Sequence, residues 1–122
     1  MPRFQLQTNV SESKITPEFL KSTVQVVADM LGRSKEQVSV HVQGDQKICI
    51  GDTDGLSGIA TLKSFGPHSD KDNKKYSIAI CGHLNKTLGI PPNRVKIHFM
   101  AVTPSEIGTN NTTLHYILGG KD

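Results

Sequence analysis

The chain has 122 residues, enough for one domain and too few for two comfortable ones. Hydrophobic residues make up 35% and charged residues 20%, a balance that suits a globular protein and excludes a disordered one. With 14 basic against 11 acidic residues the net charge is +3, and four Phe, two Tyr and no Trp leave little to stack on bases, so no nucleic acid partner is expected.

Met1 is followed by Pro2, which donates nothing to a β-ladder and fits only a strand's first residue or edge. Behind it Phe4-x-Leu6-x-Thr8 alternates apolar and polar, predicting a half-buried strand near residues 3–8 that ties the terminus into the sheet. Cells usually trim an initiator methionine before a residue as small as proline. Pro2 is then either an ordinary edge proline or a free secondary amine held at the end of a strand. No charged n-region and apolar core open the sequence, so the expected setting is cytoplasmic, and any export would need a route without a signal peptide. No apolar run reaches the length of a membrane span, so no membrane is expected as a partner. The glycosylation triplets beginning at Asn85, Asn110 and Asn111 go unused in that setting.

Thr16 is a candidate N-cap, Pro17 fits the first helical position, and Glu18 suits the positive end of the helix dipole. Apolar residues at 19, 20, 23/24, 27, 30 and 31 then draw one helical face, and Gly32 supplies the stop. Val38-x-Val40-x-Val42 predicts the next strand. The Gly/Asp-rich connection 43–57 is expected to hold a short strand from Lys47 to Ile50. A further strand is predicted near 58–65. Ser69-x-x-Asp72 resembles a capping box, followed by a stripe at Tyr76, Ile80, Leu84 and Leu88 and a stop at Gly89. Cys81 falls on that stripe and is expected in the core; Cys49 and Cys81 give no disulfide framework. Val95-x-Ile97-x-Phe99 is the last predicted strand, and the tail after Ser105 carries a short apolar segment that could pair with a neighbouring chain's edge.

The chain repeats itself. LGRSKEQVSVHV at 31–42 and LGIPPNRVKIHF at 88–99 share Leu-Gly, then Val, an aliphatic residue, His and an apolar residue at matching positions, 57 residues apart. The same offset pairs Phe19 with Tyr76, Val24 with Cys81 and Val27 with Leu84. The expected fold is α/β (α+β): one domain over 1–122, with two β-α-β repeats at about 2–43 and 58–100 and a C-terminal segment 105–122. Right-handed crossovers give a four-stranded mixed sheet with two helices on one face. Two helices cannot hide two apolar sheet faces, so the uncovered face is expected to meet other subunits. His41 and His98 are equivalent in the two repeats. Two histidines without a carboxylate or Cys pattern do not make a metal site, and none is expected.

Met-Pro-x-Phe with Thr8-Asn9, Phe19-Leu20, Leu31-Gly32-Arg33 and Val38-x-Val40-His41 together resemble the macrophage migration inhibitory factor family of the tautomerase superfamily. Asp45-Gln46, Leu62-x-Ser64-x-Gly66, Asn73-Lys-x-x-Ser77, Leu88-Gly89-Ile90, Asn93-Arg94-Val95 and Ile107-Gly108-x-Asn110-x-Thr112 continue the resemblance over nearly the whole chain. It implies a homotrimer enclosing a central channel, and an N-terminal proline that acts as general base in keto–enol tautomerisation of a small α-keto acid or enol, of phenylpyruvate or dopachrome type, without cofactor or metal. It also implies cytokine activity. The alternative is a non-classically secreted binding protein acting on a cell-surface receptor of invariant-chain type, with weak or vestigial catalysis.

Carried over residue by residue, the resemblance makes Pro2 the catalytic base. Arg33 stands where the family usually has lysine and would bind a substrate carboxylate, although an arginine after a helix stop is often only solvated. Ser64 and Phe65 align with the pocket floor, and core packing explains Phe65 equally well. Lys96 replaces a frequent tyrosine and His98 a frequent asparagine; both are expected to reach a neighbouring subunit's pocket. Lys96 would add a cation near Pro2 and remove a phenol, and His98 keeps donor capacity. Thr109 and Leu114 replace aromatics and thin the substrate rim. Ser57 and Ala60 occupy the positions of the family's CxxC, so no thiol–disulfide chemistry is expected. A third reading, an RNA-recognition sheet, lacks the aromatic run it needs.

Overall fold

A computed structural model describes residues 2–122. Strand β1 (Arg3–Thr8) buries Phe4, Leu6 and Thr8 and turns the residues between them the other way, as the alternation predicts. Helix α1 (Pro17–Leu31) begins where expected: Thr16 Oγ1 accepts the Phe19 N–H at 3.1 Å, and Pro17 gives up no bond because the first helical N–H has no partner anyway. It ends at Gly32, whose φ of 65° is one that glycine adopts without a Cβ penalty. Strand β2 (Ser39–Gln43) follows and pairs parallel with β1. The second repeat supplies β3 (Gly58–Phe65), α2 (Asp70–Leu88) and β4 (Val95–Val102). The Ser69/Asp72 capping box opens α2, and Gly89 closes it at φ 74°.

The strand order is β2-β1-β3-β4, with β1 and β3 antiparallel at the centre and each outer strand parallel to its inner neighbour. This is the four-stranded mixed sheet that two β-α-β repeats imply. Both helices cover one face. There Phe4, Leu6, Ala60 and Leu62 of the sheet meet Phe19 and Val27 of α1 and Ile80, Leu84 and Leu88 of α2, and Cys81 packs against this core half-buried. Burial of about ten such side chains at roughly 1.5–3 kcal/mol each is the main term that holds helices to sheet.

Two expectations change. The uncovered face is not apolar: one row across it reads His41, Gln5, Thr61, His98, and neighbouring rows add Arg3, Lys63 and Lys96. Ile59 and Met100 stand exposed in those same rows, so the face is mixed rather than apolar. No strand forms from Lys47 to Ile50; only an isolated bridge joins Ile50 to Thr53. That connection is held from outside instead. Arg94 donates to the carbonyls of Thr53, Gly55 and Leu56 and to the Thr53 hydroxyl, while Asn9 donates to the Asp54 and Gly55 carbonyls and accepts from the Ser57 N–H. The tail makes its own hairpin, β5 (Gly108–Thr109) with β6 (Thr112–Thr113), turning at Asn110 and Asn111, whose φ values of 50° and 63° asparagine tolerates. The short α3 (Leu114–Ile117) follows and leaves Tyr116, Ile117 and Leu118 exposed.

Candidate functional site

Pro2 is fully buried, and its carbonyl accepts the Ser39 N–H at 3.0 Å, which fixes the start of β1 against the start of β2. Beside it opens a cavity of about 260 Å³ lined by Pro2, Leu31, Arg33, Ser64, Phe65, Pro67, His68, Asp72 and Tyr76. Topology brings these together. The register that pairs Arg3 with Lys63 carries Pro2 to the level of Ser64, and the end of α1 delivers Leu31 and Arg33 to the same edge. The stop at Gly32 is completed by the Arg33 N–H, which donates to the Ala28 carbonyl at 3.0 Å. The Arg33 guanidinium lies 5.5 Å from the centroid of the Phe65 ring, a cation–π contact that keeps the charge at the cavity wall.

Four of the eight predicted site residues therefore share one cavity: Pro2, Arg33, Ser64 and Phe65. The other four do not reach it within one chain. Lys96 pairs with Ile59, and Ile59 with Gln7, five rows along the sheet from Pro2. At about 3.3 Å per row that is roughly 17 Å, and Lys96 and His98 stand on the uncovered face besides. Thr109 belongs to the tail hairpin, and Leu114, at the start of α3, is tied to the Ile107 carbonyl. Met1, whose removal would free the Pro2 nitrogen, lies outside the described residues.

The cavity also holds groups that sequence reasoning did not assign to a site. His68 Nε2 is 2.6 Å from Ser64 Oγ, and its ring meets Tyr76 edge-on with centroids 5.7 Å apart. Burial, and then the Asp72 carboxylate, push the Tyr76 phenol above its ordinary range, so it stays neutral and can donate. Asp72 Oδ2 accepts the Ser69 N–H at 3.3 Å and so helps to cap α2. Tyr76 and Asp72 were visible in the sequence as a core stripe and a cap. For His68 the one signal was its place four residues after Ser64, across Gly66-Pro67. A larger cavity of about 480 Å³ lies under the 46–56 connection, against Asn9, Lys47, Cys49 and Asp54. It contains none of the predicted site residues.

The arrangement is a polar-walled cavity at a buried N-terminal proline, set at one edge of a sheet built from two β-α-β units. The family model for macrophage migration inhibitory factor (MIF) matches residues 1–115. A MIF homolog of Trichuris trichiura is 41% identical over 113 residues, covering 93% of this chain and 99% of the relative. MIF of Mus musculus is 31% identical over 113 residues, covering 93% and 98%. The solved structure of MIF from Trichinella spiralis superimposes with a TM-score of 0.85 at 34% identity, covering 91% of this chain and 98% of that one. The chain belongs to the macrophage migration inhibitory factor family, within the tautomerase superfamily.

Proposed function

We propose that this protein is a keto–enol tautomerase of small α-keto acids or their enols, with Pro2, freed by removal of Met1, as the general base. The observation that carries the reading is the full burial of Pro2 in a cavity it shares with the Arg33 guanidinium. An exposed terminal amine titrates near about 8 and is mostly protonated at neutral pH. Burial and a nearby cation both disfavour the protonated form, which supports a neutral nitrogen able to take a proton from the carbon next to a carbonyl. Arg33 offers two parallel donors to a substrate carboxylate, and Phe65 an apolar wall. The reaction moves protons only, so no cofactor or metal is required of these residues.

The working form in this reading is a homotrimer. Lys96 and His98 project from the uncovered face, out of reach of their own chain's Pro2, so they complete a site only on a second copy. A cytokine-like role beside catalysis is supported by the names of the relatives, which describe a factor acting on macrophages. It predicts binding to a cell-surface receptor of invariant-chain type that survives loss of Pro2 chemistry. The test of the enzyme begins with intact mass, which should show Met1 gone. Pro2→Gly should then keep its assembly in sedimentation and lose phenylpyruvate tautomerisation by about a hundredfold or more. A retained Met1, full activity in Pro2→Gly, or a lone subunit in sedimentation would each overturn the corresponding part.

A further inference from the structure

Ser64 is only 4% exposed, and its hydroxyl meets an imidazole rather than a backbone group. The chain reverses at Gly66-Pro67 and returns His68 over the residue it has just left, with Tyr76 closing the far side of the ring. A separation of 2.6 Å between Ser64 Oγ and His68 Nε2 is within the range where a hydroxyl and an imidazole exchange a proton. Both side chains line the cavity that Pro2 also lines, one strand away from Ser64.

We propose that Ser64 and His68 form a proton relay in the cavity they share with Pro2, with Ser64 a catalytic residue touching the substrate oxygen and His68 a positioning residue that supplies the proton through it. The proposal rests on the tautomerase reading and names the second proton-handling group that reading needs. In enolisation the neutral Pro2 nitrogen takes the proton from the carbon next to the carbonyl. The released C–H pair becomes the C=C bond, and the carbonyl π pair moves onto oxygen. That oxygen takes the Ser64 hydroxyl proton, and Ser64 takes the Nε2 proton of an imidazolium His68. Pro2 ends protonated and His68 neutral, so the charge carried by the cavity is the same before and after. Ketonisation runs the same transfers in reverse.

The groups around His68 fit this use. Asp72 and Tyr76 face it from α2, Ser64 from β3, and Arg33 from the segment after α1. Tyr76 adds no charge beside the imidazole, because its phenol is held neutral, and its ring edge packs against the His68 ring.

The test measures kcat/KM for phenylpyruvate enolisation across pH in the processed protein and in His68→Gln, Ser64→Ala, the double variant and Pro2→Gly. The parent should give a bell, with the acid limb set by Pro2 and the alkaline limb by His68. His68→Gln should lose the alkaline limb and about tenfold or more in kcat, with KM within about threefold. Ser64→Ala should lose as much, and the double variant no more, because the pair acts as a unit. Since His68 also packs on Tyr76, His68→Gly is assayed with added imidazole, which should restore turnover. A His68→Gln protein that keeps both limbs and about parental kcat, or a His68→Gly protein that imidazole does not restore, overturns the relay and leaves Pro2 standing. Parental turnover in Pro2→Gly overturns the base and the relay together.

Discussion

Arg33 and Ile90 stand 57 residues apart, each immediately after the left-handed glycine that ends its helix. The first is exposed at the wall of the Pro2 cavity; the second is 0% exposed in the core. The strand starts differ in step. The first half begins with Pro2, whereas the second begins with Gly58, where an added Cβ would come 2.9 Å from Leu6 Cδ1 and 3.6 Å from Ile90 Cδ1. One architecture is thus written twice, and in the second copy an isoleucine fills the place where the first keeps a cation beside an opening. The cavity exists because one half of the repeat was left unfilled, while the other half supplies the packing that makes this tolerable.

Exchanging the sizes of those two side chains is the most direct way to break the contrast. Ile90→Ala removes a buried side chain wedged beside Leu6 and Gly58 and should cost about 2–5 kcal/mol in urea unfolding at fixed protein concentration. Arg33→Ala should shift stability by no more than about 0.5 kcal/mol, since an exposed side chain has little packing to lose. Its effect should fall on KM for α-keto acids, raised about tenfold. Equal stability losses in the two variants would mean that the halves are packed alike and that the cavity is no special place.

The hydroxyls near the ends of the two central strands sharpen the same point. Thr8 closes β1 with its hydroxyl donating to the Ser57 carbonyl at 2.7 Å and accepting the Val10 N–H at 3.2 Å. Ser64, near the end of β3, has His68 instead. Thr8→Val keeps the shape but orphans a buried donor and acceptor, and should cost about 1–3 kcal/mol. Ser64→Ala leaves behind only an imidazole at the edge of a cavity that water enters, and should cost under about 1 kcal/mol. Chemical denaturation of both variants checks this; a Ser64→Ala loss as large as that of Thr8→Val would make Ser64 a structural hydroxyl.

What could be read in the sequence divides along the range of the interactions involved. Thr16, Ser69, Gly32 and Gly89 mark helix ends with partners no more than five residues away, so local pattern was sufficient for them. Alternation located three of the four strands, and the repeat the fourth. It also held the correction to the uncovered face, because Gln5, Thr61, Lys63, Lys96 and His98 are polar in the sequence itself; counting helices against faces overlooked them. The segment from Lys47 to Ile50 misled because it joins no sheet beyond the Ile50–Thr53 bridge, while the stretch just after it, Thr53 to Ser57, is held by Asn9 and Arg94, some forty positions away on either side. Pro2, Arg33, Ser64 and Phe65 came from the family resemblance, and the fold gathers them. His68 could not be read that way: its role depends on a chain reversal that points it back at Ser64, which no periodicity encodes.

The helices carry the subtlest difference between the halves. Val26 of α1 corresponds to His83 of α2, again 57 residues on. The His83 ring stacks on Phe19 with centroids 5.6 Å apart and planes at 11°, and its Nε2 lies 2.9 Å from Thr23 Oγ1. The Thr23 hydroxyl already donates to the Phe19 carbonyl at 2.8 Å, so His83 Nε2 carries the proton that makes the contact between helices. Half-burial and then the charge of Lys86 push the His83 imidazole below its ordinary range. The unfolded chain, with an imidazole near about 6.5, therefore takes the proton first. The stability contributed by neutral His83 is present above that value and is lost as pH falls through it toward the depressed folded value. Thermal unfolding followed from pH 7.5 to 5.5 should show the parent losing stability faster than His83→Gln, which keeps a donor for Thr23 but does not titrate. Parallel profiles for the two proteins would mean that α1 and α2 meet as an apolar seam to which the imidazole is incidental.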